Sequence, residues 1–308
     1  MFNFSRYKYI SLSVSGILIF SLYLVTFLVN KGFAHSLDFN GGLRAVVDVS
    51  EEIKKEDIEK FFVSEGISAV VILLDKEKFH YQIDIGLDAI PKIIGFNERN
   101  PSLNKKSQVI EQFISMLEVG LKISRENILS ADQVGAIVGN ELTSIGVNLV
   151  IVSLILMTVY LSFRFKFQFA VSASLALLHD VVICIGFIGA FQIKPSVPLI
   201  AAILTLFGYS INDTIVIFDR IRENLANKKL NYSFAHTINL SINQTLSRTF
   251  NTSFSTLIAV VAIIIGGASE LFDFALVLIF GIIIGTYSSI FIAAPLLEIY
   301  EKFFPQKS

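Results

Sequence analysis

Residues 208–224 read GYSINDTIVIFDRIREN, an apolar run fit to cross a membrane except that Asn212 and Asp213 interrupt it. An aspartate near the centre of a membrane helix costs about 2.5–3.5 kcal/mol on insertion. A chain that places one there therefore turns it toward protein or water. At helical spacing Tyr209, Asn212, Asp213 and Val216 share one face, so a polar stripe can point into a bundle while Ile211, Ile215 and Phe218 face elsewhere.

The composition supports a membrane reading of the whole chain. Of 308 residues 53% are hydrophobic and 28 are Phe, and the mean hydropathy of +0.66 lies well above that of a soluble domain. The net charge of −1 gives no attraction to nucleic acid. Cys184, the single cysteine, excludes an intramolecular disulfide and sits in an apolar run as a small hydrophobe.

Six segments reach the roughly 20 apolar residues that a spanning helix needs: 9–29, 142–163, 168–191, 197–220, 250–268 and 274–297. The first follows Arg6 and Lys8 as a signal peptide would, but its length and the lack of a cleavage pattern mark it as a retained span. Lys and Arg fix the orientation. With the N-terminus inside, the cytoplasmic segments hold Arg6, Lys8, Arg164, Lys166, Arg220, Arg222, Lys228, Lys229, Arg248, Lys302 and Lys307, whereas the short outer loops hold only Lys194. Both termini are expected in the cytoplasm.

The expected organisation is a cytoplasmic N-terminus and first span over 1–29, an external domain over 30–141, a core of five spans over 142–297 and a cytoplasmic tail over 298–308. Within the external domain, 43–49, 69–74 and 79–85 read as strands and 55–66 and 105–120 as amphipathic helices ending at Gly66 and Gly120. A short strand near 127–130 completes the order βαββαβ, a ferredoxin-like α+β sandwich. Segment 90–104, with two Pro, a Gly and three Asn, reads as a loop. No metal-ligand cluster, phosphate loop or nucleophile elbow is present, so the domain reads as a binding or lever module. The chain is expected to be no enzyme and to carry no cofactor or metal.

Other polar residues lie deep in the spans. His179 and Asp180 fall near the middle of the third, and Thr245, Thr249, Thr252 and Thr256 recur at helical spacing around Arg248 in the fifth. Gly281, Gly285 and Ser289 form a small-xxx-small packing face in the sixth. Asp219, Arg220, Arg222 and Glu223 read as interfacial anchors, and the stretch from there to Arg248 as a polar loop with an amphipathic piece at 234–240. Two readings stand for Asp213 and Asp180. Each is either a hydrogen-bonding anchor between helices or part of a proton relay, in which a change in hydration drives proton uptake and release. The histidine and the hydroxyl stripe on neighbouring spans favour the relay.

Six stretches resemble the SecD/SecF family of protein-export membrane proteins, in the resistance-nodulation-division superfamily. They are LDFNGG (37–42), VGAIVGNEL (134–142), HDV (179–181), the 208–224 stretch, NQTLSRTFNTSFSTL (243–257) and GIIIGTYSSIFIAAPLL (281–297). The resemblance runs along nearly the whole chain and makes Asp38, Gly41 and Gly42 an external junction motif. It implies a bacterial inner-membrane subunit that pairs with a six-span SecD core, associates with the SecYEG channel and in many bacteria YajC, and handles preproteins transiently. It further implies that proton flow at the shared interface moves the external domains to promote translocation, with Asp213 as the family's transmembrane acid. For His179 and Asp180 only a family motif matches. A half-size efflux transporter subunit and a non-coupling scaffold of the channel complex are the competing readings. No Walker A sequence is present, so ATP bound to this chain does not drive it.

Overall fold

The computed structural model describes residues 2–34, 37, 41–49, 53–75, 79–98, 109–134, 136–227, 232–266 and 271–303. In chain order its elements are α1 (Lys8–Leu24, continued by a π turn Val25–Val29), β1 (Gly42–Asp48), α2 (Lys55–Ser64), β2 (Ala69–Asp75), β3 (His80–Gly86), α3 (Ile90–Glu98), α4 (Val109–Gly120), β4 (Ile128–Val134), α5 (Ala136–Arg164), α6 (Phe167–Ala190), α7 (Val197–Ala226), α8 (Phe234–Ile265), α9 (Phe272–Ser288, continued by a π turn Ser289–Ala293) and α10 (Ala294–Phe303). Among the described residues six helices are long and apolar enough to cross a membrane. The chain divides into two compact units, one of Met1–Ala34, Val147–Lys194 and Pro198–Ser308, the other of His35–Gly146 and Pro195–Val197.

The second unit is built on an antiparallel sheet of order β2-β3-β1-β4, the strand order of the expected ferredoxin-like sandwich. Alternation along β1 turns Leu43, Ala45 and Val47 into the core with Ile58 and Phe62 of α2 and Phe113, Met116 and Leu117 of α4. On the other face Arg44 sits opposite Asp84 and grips both its carboxylate oxygens at 2.8 and 2.9 Å. Segment 90–98 is a helix, not the expected loop. Pro91 falls in its first turn, where a missing N–H costs nothing, and Ile93 and Phe96 are buried in the core, Phe96 edge-on to Phe61. The rest of the expected loop, 99–104, and the first residues, 105–108, of the expected helix 105–120 lie outside the described residues. Gly66 ends α2 in the left-handed region at φ +70°, as a C′ glycine should. Gly120 differs. It is the last residue of α4, its missing side chain leaves room for the Phe61 ring, and Lys122 takes the positive φ.

Gly42 opens β1 at φ +154°, where a Cβ would collide with the Ile85 carbonyl oxygen and Leu37 Cδ1. Gly42→Ala is expected to cost about 3 kcal/mol. Hydrogen exchange at the β1–β3 amides of the intact protein would read this as exchange about 100-fold faster.

In the first unit α6, α7 and α9 carry most of the burial and α1, α5 and α8 are mainly exposed. Apolar burial does not drive helices together inside lipid, so small residues and hydrogen bonds must. Pro295 illustrates this: lacking an N–H, it leaves the Phe291 carbonyl four residues earlier without its helical donor, and Ser11 Oγ of α1 donates there at 2.9 Å. Helix α8 starts at Phe234, so the expected polar loop before Arg248 is helical from that residue on. Its polar residues are used in pairs, which is why low hydropathy misled. Asn239 and Asn243 accept from the Ser5 and Phe2 backbones at 3.0 and 2.9 Å, and Asn224 of α7 donates to Ser241 and Gln244 at 2.8 and 2.9 Å.

Candidate functional site

Helix α7 carries Asp213 into the unit, where only 5% of the residue is exposed. Its Oδ2 lies 3.3 Å from the hydroxyl of Ser253 on α8, and that hydroxyl is 2.7 Å from Thr286 Oγ1 on α9. A recess of about 10 Å³ lies against the carboxylate, lined by Tyr209, Asn212, Thr252, Ser253, Ile282 and Thr286. That is on the order of the room one water needs. Tyr209, Asn212 and Thr252 are exposed, so the recess lies at the edge of the bundle. Along α8 the exposed polar face continues through Gln244, Ser247, Arg248, Asn251 and Ser255, which line one groove with Thr252. Polar side chains on a spanning helix are costly against lipid, and this face needs a polar cover.

Asp180 forms a separate cluster and is fully buried. Ser210 of α7 and Ser288 of α9 donate to its Oδ2 at 2.5 and 2.7 Å, and His179 Nδ1 lies 2.9 Å from Oδ1. One carboxyl thus ties three helices. One turn along α7, Thr214 meets Ser289 of α9 at 2.9 Å. The helices approach this closely because a Cβ on Gly285 would stand 3.0 Å from Ser210 Cβ, and one on Gly281 would stand 3.1 Å from Leu206 Cδ1.

The recess thus brings Asp213 together with Asn212, Tyr209 and Thr252, whereas Asp180 and His179 stand apart from it. Arg248 lies on the exposed face one turn before Thr252. Thr249 is buried with its hydroxyl unpartnered, and Thr252 and Thr256 bond back to their own helix at 2.5 and 3.0 Å. The hydroxyl that meets Asp213 is that of Ser253, which sequence reasoning passed over, as it did Ser210, Ser288 and Thr286. A usable signal was present: Ser253 follows Thr249 by four residues, and Ser210 and Thr214 share one face. In the second unit Gly41, just before β1, and Gly42, its first residue, both take positive φ, and Asp38 lies outside the described residues. At the far end of α7, Asp219 pairs with Arg164 at 2.7 Å and Arg222 at 3.4 Å, and Arg220 with Glu223 at 2.5 Å.

The family model for "Protein export membrane protein SecD/SecF, C-terminal" matches residues 117–302. The chain belongs to the SecD/SecF family. A protein translocase subunit SecF of Sebaldella termitidis is 37% identical to this family member over 291 residues, 92% of this chain and 89% of that one. The SecF of Borreliella burgdorferi is 33% identical over 97% of this chain and 98% of its own length. Among solved structures, the crystal structure of SecDF from Thermus thermophilus superposes with a TM-score of 0.77 at 32% identity, covering 98% of this chain and 39% of that longer one. This SecD/SecF-family chain is an accessory subunit of the Sec translocation system and a multi-pass protein of the inner membrane.

Proposed function

We propose that this chain pairs with SecD and uses proton passage through Asp213 to promote preprotein translocation and release at the SecYEG channel, with YajC as a further associate. The observation that carries the reading is a buried carboxyl whose small recess opens beside an exposed polar face on α7 and α8. A carboxyl beside a recess that gains and loses water changes its proton occupancy as its hydration changes. The membrane potential supplies about 2.3 kcal/mol per charge per 100 mV. Asn212, Tyr209, Thr252 and Arg248 line the approach, with Thr249 and Thr256 completing the supporting hydroxyl face. Asp180 and His179, 2.9 Å apart, are a second pair in the proposed relay. Both termini are cytoplasmic, residues 30–141 form the periplasmic domain that the proton-driven motion displaces, and residues 142–297 form the half of the core that SecD completes.

Pairing is tested with a photo-crosslinking amino acid at Ser255, on the exposed polar face, and at Leu156, 62% exposed on α5. An adduct with SecD is expected at Ser255 and none at Leu156. Failure to capture SecD from Ser255 at normal expression would remove the pairing from the account.

A further inference from the structure

The ends of α5, α6, α7 and α10 and the start of α8 line an open cavity of about 790 Å³ that begins six residues beyond Asp213 along α7 and is unused by the proposed proton path. Its polar walls are Arg164, Lys166, Gln168, Asp219, Arg222 and Glu301. The Arg164 and Arg222 guanidinium groups both lie over the Phe165 ring, at 5.0 and 5.3 Å. They share one carboxylate, Asp219. That corner therefore holds an excess positive charge and spare, forked N–H donors, the geometry that suits a phosphate. Elsewhere in the wall stands Glu301, and Gln168 is 5% exposed with a buried side-chain carbonyl that no donor meets. A buried acceptor left in this state calls for a partner. With Glu223 counted, the lining carries three cationic and three acidic side chains, so its net charge is zero while its signs are separated.

We infer that this cavity binds the headgroup of a membrane aminophospholipid, the phosphate held by Arg164 and Arg222 and the ammonium by the acceptors of Gln168 and Glu301. The position favours a lipid over a soluble ligand. The cavity lies where the spans end, and Phe163 and Phe167, beside Arg164 and Lys166 in sequence, are 89% and 68% exposed and offer apolar surface to the acyl chains. A lining of zero net charge disfavours a purely anionic headgroup, which needs a basic pocket. A choline headgroup keeps the positive charge but has no N–H to give to the two acceptors.

The full-length protein in mild detergent would be offered equal amounts of dioleoyl phosphatidylethanolamine, phosphatidylcholine and phosphatidylglycerol, and retained lipid would be read by native mass spectrometry. Phosphatidylethanolamine is expected to be retained about tenfold over either competitor, and Arg222→Gln to weaken its retention about tenfold, the worth of a charge-assisted hydrogen bond. Gln168→Leu is expected to reduce the preference for ethanolamine over choline while leaving phosphate-driven retention in place. Both variants must keep the wild-type unfolding transition, and Arg164→Gln replaces Arg222→Gln if that variant does not. Equal or stronger retention of phosphatidylglycerol would overturn the inference in favour of a simple anion site. So would retention of no lipid, the outcome for a cavity that receives a protein segment, or retention unchanged in the folded arginine variant.

Discussion

Asp213→Asn, present at wild-type level in cells depleted of the native protein, is expected to accumulate signal-bearing precursor toward the amount seen without the protein, while SecD still co-purifies. The substitution separates chemistry from packing. The Asn carbonyl oxygen can still accept from Ser253, which stands 3.3 Å from Asp213 Oδ2, and the side-chain volume is nearly the same. Only the ability to take and give a proton is lost. Normal export with the Asn variant would make Asp213 a hydrogen-bonding anchor and move the scaffold reading ahead.

Gly285→Leu is expected to destabilise the membrane unit by more than about 3 kcal/mol, through overpacking and lost hydrogen bonds together. A Cβ alone at Gly285 would stand 3.0 Å from Ser210 Cβ and 3.3 Å from Ser210 Cα. Backbone has nowhere to go, so a longer side chain must force α7 and α9 apart. The separation breaks the 2.5 and 2.7 Å bonds by which Ser210 and Ser288 reach the fully buried Asp180. Thermal unfolding in detergent would show it as a lower and broader transition. Gly285→Ala asks the neighbour to yield by only a few tenths of an ångström and should lose much less. If the leucine variant unfolds with the wild type, helix contact at this face does not hold the unit together.

Apolar length and helical spacing made the six spans legible, and alternation made the sheet legible, because each signal is local and repeats along the element. The same local logic failed at 90–98, where Pro91 and Gly95 read as breakers although the buried Ile93 and Phe96 decide the outcome. It failed again before Arg248, where Asn239, Asn243 and Gln244 lower hydropathy yet find partners on the N-terminal segment and α7. At the candidate site, Asp213 and Asp180 stood out because a carboxylate in a span is costly and rare. Their partners did not. Ser253 is 40 residues from Asp213 and Ser288 is 108 from Asp180, and serines recur through the spans without marking which one faces a carboxylate. Only the packing of α7 against α8 and α9 selects them.

The most direct test of proton coupling uses inverted membrane vesicles carrying either the wild-type chain or Asp213→Asn, with SecD present and ATP held constant. Preprotein translocation is measured with and without an imposed proton gradient. The account predicts that the gradient speeds translocation in wild-type vesicles and leaves the Asp213→Asn vesicles at their ATP-only rate. An equal response in both would contradict it, because the gradient would then act without this carboxyl.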